Sequence, residues 1–532
     1  LGQNPSKLYL GIKKADNSCA YTYTNVFKRF YGFKVDAVGV DGLYEIAEPK
    51  KLMVLNDIDS TIPVASDDSV AAWYDSIIYR ENGNGPTIGA TAKSIIEQDG
   101  MYFKDSNGNG ILDVYEDWRE DDETRAKDLV EKMTLQDKAG MMVINSRGMG
   151  IYSSNPDEAT GLLDETSNTD DMSSEIFGVS RTLGTTEAIV DWGLRHFILR
   201  QNPEPEDMAS WINQMNLVAE KTELGIPVVV ASNSRNENGQ MTFGMNDASG
   251  VFSTWPGTLG PAAAVMGDIA RGGDAGLISR FAEIARNEWD ASGLKKGYMY
   301  MADTMTDPRW QRTYGTFGED PELISDIIGR LVEGFQNGSD GVQADGVALT
   351  VKHFPGGGAR ENGFDPHYSQ GQWNVYQTEG SLEKYHLPAF IKAVENRVSS
   401  IMPYYAKPAA EKSETQYDLE GNPIDMVPVG FAFNKVFIND ILREQIGHEG
   451  YVNSDSGITG NMCWGVEELD VPERNALAIN VGTDIISDTN DVNSIIEAWN
   501  RGPDGGKSDY YTTEGVVPAG YEVADVTLTT AA

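Results

Sequence analysis

The sequence predicts an α/β protein: a (β/α)8-type, TIM-like barrel preceded by a small β-rich N-terminal region. Two observations predict it. Short apolar runs alternate with helix-like segments through most of the chain, which is the pattern of a parallel sheet with crossover helices. Nearly every run also ends in polar or ionisable residues, as strands do at the face of a parallel barrel that carries its site.

The elements follow in order. Residues 1–95 are rich in Tyr, Val and Thr, are broken by turns such as "EPKK" and "ENGNGP", and read as β-rich with no interpretable motif. Residues 96–124 form a connector around "KDSNGNGILDVYEDW". A helix is expected next, with Ala126, Leu129, Val130 and Met133 at i, i+3, i+4, i+7 spacing. "TLQD" at 134–137 has the form of a capping box that opens another helix. The predicted barrel spans 125–495. Its strand candidates are "GMMVINS" (140–146), "IPVVVAS" (226–232), "YMYMAD" (298–303), "VALTVKHF" (347–354), "SSIMPYY" (399–405), "GYVNSDSG" (450–457) and "TDIISD" (483–488). Helices are expected between them, for example over 277–292 and 322–336. Residues 496–532 read as a C-terminal tail or linker.

Composition narrows the function. The 532 residues carry 81 Asp+Glu against 42 Lys+Arg, a formal net charge of −39. Such a surface repels nucleic-acid phosphates and anionic lipid headgroups, but not a neutral sugar. No run approaches the roughly 20 apolar residues of a membrane helix. Cys19 and Cys463 are the only cysteines, so there is neither a disulfide framework nor a CxxC motif. The expected setting is secreted or periplasmic, with no signal peptide visible; a salt-adapted source is the sharper reading of the charge.

Two stretches carry candidate chemistry. "DSNGNGILDVYE" matches the twelve-residue calcium-loop pattern D-x-[DN]-x-[DN]-G-x5-E. Asp105, Asn107 and Asn109 would give side-chain oxygens, Ile111 its carbonyl, Asp113 a water-bridged carboxylate and Glu116 a bidentate one. A structural Ca2+ is therefore expected, with a metal-free Asn/Gly turn as the alternative. The second stretch, "GYVNSDSGITG", places Asp455 at a strand end among small residues that leave its carboxylate open. It reads either as a turn-capping Asp or as a reacting group. The Gly-rich "VKHFPGGGARENGFDPHY" fits neither GxGxxG nor GxxxxGK[ST], which excludes a nucleotide loop.

Four stretches together decide between the readings of Asp455. "LRHFILRQNPEPEDMASWINQMNLVAEKTELGIPVVVAS", "DPRWQRTYGTFGEDPELIS", "VKHFPGG" and "GFAFNKVFINDILREQIGHEGYVNSDSG" resemble, in order, signatures of glycoside hydrolase family 3, the β-glucosidase-like family. The resemblance covers about Asp105 to Asp488. It implies a retaining, exo-acting β-glycosidase of the β-glucosidase type that needs no organic cofactor and acts on an oligosaccharide or β-glycoside. Asp455 then takes the place of the nucleophile, which forms a covalent glycosyl-enzyme about 5–5.5 Å from a proton-donating acid. Lys352 and His353 take the places that bind hydroxyls of the terminal sugar. Tyr405 resembles a family tyrosine near the nucleophile, and Arg309 and Trp310 of the DPRW signature read as mainly structural.

Three departures follow from the same resemblance. Asn233 stands where a sugar-binding Asp is usual, with Arg235 as an added contact. Ser456 replaces the Trp that usually follows the nucleophile, which makes Trp464 the candidate for that pocket wall. The usual acid/base Glu of a following domain has no counterpart in residues 489–532. Three donors are open: an Asp365–His367 dyad like that of the family's β-N-acetylglucosaminidases, a local acid such as Glu361, or a Glu on a missing second domain or chain. β-Xylosidase, β-N-acetylhexosaminidase and a catalytically impaired carbohydrate-binding barrel remain as rival functions.

Overall fold

The computed structural model describes residues 9–11, 43–45, 77–149, 161–165, 183–201, 203–237, 252–503, 505 and 517–529. Eight parallel strands close into a barrel, as expected. They are β1 (Val143–Arg147), β2 (His196–Leu199), β3 (Val229–Ser232), β4 (Lys296–Gly297), β5 (Ala348–Phe354), β6 (Ser400–Pro403), β7 (Tyr451–Ser456) and β8 (Ile485–Ser487). Each pairs in parallel with the next, and β8 closes on β1.

One strand was not predicted and one predicted strand is displaced. β2 is an eighth strand that the pattern of runs did not separate: "HFIL" is four residues long and follows charged Arg195 directly. The predicted third run, 298–303, lies beyond the paired strand β4, which is only Lys296–Gly297. That run continues alongside β5 through single links: the Lys352 N–H donates to the Tyr300 carbonyl and the Ala302 N–H to the Lys352 carbonyl. Asn233, expected after a second strand, therefore follows the third.

Helices wrap the barrel and supply most of the core. Pro321–Gln336 shows why these segments are helical. Asp320 caps the first turn by accepting from the Glu322 and Leu323 N–H groups, and Pro321 suits the first helical position. Ile324, Ile327, Ile328, Leu331, Val332 and Phe335 fall on one face and are buried. Each such side chain contributes about 1.5–3 kcal/mol. Asn337, in the left-handed region at φ 61°, ends the helix. The capping box expected at 134–137 is present, with Thr134 and Asp137 bonded reciprocally. A smaller cluster of Ile144, Ile198, Ala231, Tyr298, Met402 and Ile485 fills the barrel interior.

The predicted boundaries shift at both ends. Most of residues 1–95 lie outside the described residues; Ser94–Gln98 and Met101–Asp105 form a hairpin that runs through the expected boundary at 95. This hairpin unit docks on the turn before β3, where Lys93 Nζ donates to the Thr222 carbonyl (3.0 Å) and Lys104 pairs with Glu220 (3.1 Å). At the other end, helix Val492–Arg501 crosses the boundary at 495. Residues 517–529 return to the barrel, with Val526 and Leu528 buried and the Tyr521 hydroxyl donating to the Phe433 carbonyl (2.7 Å). Among the described residues, no helix is long and apolar enough to cross a membrane.

Candidate active site

The last residues of β5 and β7 bring Lys352, His353 and Asp455 together at the C-terminal face of the barrel. The pairing of β7 with β8 slips between Asn453 and Ser456, so the strand bulges at the residue of interest. Bulges of this kind re-aim a side chain beside a site. Asp455 Oδ1 accepts from the Ser456 N–H (2.8 Å). Its Oδ2 is buried and, among the described residues, has no hydrogen-bond partner. A buried, bare carboxylate oxygen is costly, so this position suits a reacting or ligand-binding role better than a turn cap.

The groups facing that oxygen are held firmly. His353 Nε2 lies 3.8 Å from Asp455 Oδ2. On its far side, His353 Nδ1 meets Asp303 Oδ2 at 2.8 Å, and the His353 backbone N–H donates to the same oxygen at 3.1 Å. Burial, aided by the Arg312 charge, lowers the His353 pKa to about 4 against the pull of Asp303. The ring is thus neutral at neutral pH. With Nδ1–H donated to Asp303, Nε2 is left as an acceptor for a hydroxyl. Lys352 Nζ donates to Asn233 Oδ1 (3.3 Å). Burial and Arg312 lower the Lys352 pKa to about 7, while Asp455 opposes them.

Arg312 is the residue that sequence reasoning missed in "DPRWQR". Arg309, considered there, is exposed and spends its guanidinium on Asp307 (2.7 and 2.9 Å). Arg312 is buried within the fields of Tyr404, Asp365, Asp455 and Asp303, which outweigh desolvation and keep it charged. Its Nη1 has no hydrogen-bond partner among the described residues. The available signal was local: an Asp two residues before Arg309 can satisfy that arginine, which leaves Arg312 for the interior. Arg200 was missed because it follows the unrecognised β2. It donates to Ser146 Oγ (2.7 Å), pairs with buried Asp488 and reaches Ser456 Oγ (3.4 Å), beside Asp455.

Adjacent tyrosines divide the remaining contacts. The Tyr405 hydroxyl is buried beside Asp455, and burial together with that carboxylate strongly suppresses its ionisation. The Tyr405 ring stands edge-on to His367, with centroids 4.7 Å apart. Tyr404 packs against His353 (4.7 Å) and donates to Asp365 Oδ2 (3.4 Å). Asp365 Oδ1 in turn contacts His367 Nδ1 and accepts from the His367 N–H (3.1 Å). Although burial opposes it, the His367 hydrogen bond and the Arg312 charge hold the Asp365 pKa far below the usual carboxylate range. Asp365 and His367 are therefore in contact, one tyrosine ring from Asp455. Trp464 is half-buried and donates from Nε1 to the Pro366 carbonyl (2.8 Å), which clamps the loop of the dyad. Arg235 is wholly buried and donates to Ser232 Oγ and the Leu199 and Gln201 carbonyls, tying the end of β3 to β2.

The calcium-like loop lies apart, on the N-terminal hairpin. Asp105 Oδ2 accepts from the Gly110 N–H (3.1 Å), whereas Oδ1 is buried and, among the described residues, without a partner. That bare oxygen suits a cation. The Asn107 and Asn109 amides both donate to Asp113 Oδ2 (2.7 Å each), and the Glu116 carboxylate accepts from the Ser106, Asn107 and Asp113 N–H groups. Lys132 Nζ stands 3.4 Å from Asp113 Oδ1. Among the described residues no three His, Cys, Asp or Glu side chains converge on one point, so an ion here would depend on amide and carbonyl oxygens as well.

An eight-stranded parallel barrel that presents one open carboxylate to neutral and cationic hydrogen-bonding groups is the equipment of a barrel glycoside hydrolase. The chain belongs to glycosyl hydrolase family 3: the model of the family's N-terminal domain matches residues 185–506. It is 34% identical over 77% of its length to a periplasmic β-glucosidase/β-xylosidase of Dickeya chrysanthemi, covering 60% of that protein. It is 32% identical over 68% of its length to a probable β-glucosidase C of Aspergillus flavus, covering 51% of that protein. The chain thus spans between half and two thirds of these relatives. An exo-1,3/1,4-β-glucanase structure from a Pseudoalteromonas species shares the fold, with TM-score 0.50 and 20% identity over 72% of this chain and 40% of that one.

Proposed function

We propose that this chain is the catalytic barrel of a retaining, exo-acting β-glycosidase of the β-glucosidase type, with Asp455 as nucleophile. The observation that carries the reading is the buried Asp455 Oδ2, which makes no hydrogen bond among the described residues, is faced by His353 and has the Tyr405 hydroxyl beside it. In this reading Oδ2 attacks the anomeric carbon, the aglycone leaves, and water later releases the sugar. Lys352, Arg312, Asn233 and the neutral His353 bind hydroxyls of the terminal sugar, and these bonds strengthen as the ring flattens. The names of the two relatives support a glucoside or xyloside, and that of the Dickeya protein supports a periplasmic or secreted setting.

The proton donor within this chain is read as the Asp365–His367 pair, supported by their direct contact and by the packing of His367 on Tyr405. The second reading places a carboxylic acid of a further domain or chain over the same face. We propose also that the Asp105–Glu116 loop holds a structural Ca2+, supported by its motif and by the bare Asp105 Oδ1.

The test of the nucleophile is trapping with 2-deoxy-2-fluoro glycosides bearing a dinitrophenolate leaving group, followed by peptide mapping. That leaving group departs without protonation, so the outcome is independent of the donor's identity. Label on Asp455 is expected. Label on another residue, or none with any sugar while sugar binding persists, would overturn the assignment, the second result in favour of a binding barrel.

A further inference from the structure

Lys296 opens β4 at the floor of the barrel and is 1% exposed. It takes no part in the proposed sugar contacts, and among the described residues no carboxylate pairs with it in a salt bridge. Its Nζ donates to Asn453 Oδ1 at 2.7 Å and sits over the rings of Tyr451 (4.7 Å) and Tyr298 (5.2 Å). Asn453 stands two residues before Asp455 on the same strand. Its amide donates to the Tyr298 hydroxyl (2.7 Å), which shares a hydrogen bond with Ser487 Oγ on β8 (3.0 Å). Between Asn453 and Asp455, Ser454 Oγ accepts from the Ser487 N–H and donates to the Asp455 carbonyl, at 2.8 Å each. The register between β7 and β8 slips across this same stretch.

We propose that Lys296 is a positioning residue: from the barrel floor it pins Asn453, and through Asn453 and Tyr298 it fixes the bulge that aims Asp455 at its substrate. Two physical points support this. A buried ammonium without a carboxylate partner is expensive, and burial alone lowers the Lys296 pKa to about 7. A bulge also leaves a strand end short of ladder bonds, so the aim of Asp455 depends on side-chain bonds from beneath. The chain Lys296–Asn453–Tyr298–Ser487 supplies them across three strands and the segment after β4.

This inference rests on the nucleophile reading, and its test keeps the two apart. The wild-type chain is first labelled with the activated 2-fluoro glycoside and mapped; label away from Asp455 removes the premise itself. With Asp455 confirmed, trapping rate constants at saturating reagent are compared for the wild type, Lys296→Met and Tyr298→Phe. Lys296→Met is expected to slow trapping about 10–100-fold, with the half-saturating reagent concentration changed less than about threefold. Tyr298→Phe, which deletes one oxygen and keeps the packing, is expected to slow it in the same direction by a smaller factor. A purely structural lysine predicts lower thermal stability in Lys296→Met with an unchanged trapping rate, which would overturn the proposal. If Lys296→Met does not fold, Tyr298→Phe decides: an unchanged rate there overturns it equally.

Discussion

At the scale of the single residue, the amide of Asn233 has the most direct consequence. It is the hydrogen-bond partner of Lys352, and an amide supplies no charge to hold an ammonium in a buried site. Burial, with the Arg312 charge, lowers the Lys352 pKa to about 7, and no charge on residue 233 opposes it. The sign of the effect separates binding from stability. From pH 7 to about 10.4 the unfolded chain binds a proton that folded Lys352 has released, so this group favours the folded state as pH rises. Deprotonation of Lys352 therefore does not itself destabilise the fold, and its effect on turnover is loss of the ammonium's contact with the sugar. The kcat/KM of the active protein is expected to fall on the alkaline side with an apparent pKa near 7. Asn233→Asp is expected to move that limb up by about one unit, because an opposite charge favours the ammonium. A limb that stays in place in the pH profile of the variant would detach Lys352 from substrate binding.

At the scale of the element, the loop after β5 decides where the proton comes from. It carries Asp365 and His367, is clamped by Trp464, and faces Tyr404 and Tyr405, which directly follow β6. If the dyad protonates the departing oxygen, its removal matters in proportion to how poor the leaving group is. His367→Ala is expected to lower kcat/KM about 100-fold or more on an unactivated glycoside and less than about threefold on a dinitrophenyl glycoside. Equal loss on both substrates would assign His367 to binding, and no loss on either would move the donor off this chain. The same elements show what the sequence could reveal. Six of the seven predicted runs coincide with barrel strands, because a strand buried on both faces must be largely apolar until it reaches the site. β2 was not legible, since four residues after an arginine carry no period, and Arg200 was lost with it. Arg312 was hidden for another reason: two arginines three residues apart look equivalent until the Asp307 side chain claims one of them. The pairing of Asp365 with His367 is suggested by the resemblance to the family's β-N-acetylglucosaminidases, but the link through Tyr405 to Asp455 joins separate loops and exists only in the folded chain.

At the scale of the whole molecule, the N-terminal hairpin unit and the barrel meet along few bonds, and the candidate calcium loop sits at their junction. Gly225, at φ 60° in the turn before β3, lets the chain pass against Ser106; a Cβ there would lie 2.7 Å from the Ser106 carbonyl oxygen. The Tyr115 hydroxyl reaches the Leu224 carbonyl nearby (3.4 Å). An ion bound by Asp105, Asn107, Asn109, Ile111, Asp113 and Glu116 would fix the loop in the shape that makes these contacts, and through the turn would stiffen the approach to β3 and Asn233. Binding to the folded state alone stabilises by about 2.7 kcal/mol when the free ion is at one hundred times its dissociation constant. For a chain of 532 residues that corresponds to a rise in melting temperature of about 2–3 °C. Calcium added to chelator-treated protein is therefore expected to raise the melting temperature by this amount at constant ionic strength. The control of ionic strength is essential, because a net charge of −39 makes any divalent ion stabilising through screening alone. Glu116→Gln separates the two effects: it removes the bidentate ligand but leaves the net charge almost as it was. A variant that gains as much from calcium as the parent, or a parent that gains as much from magnesium, would reduce the loop to a hydrogen-bonded turn and the calcium response to charge screening.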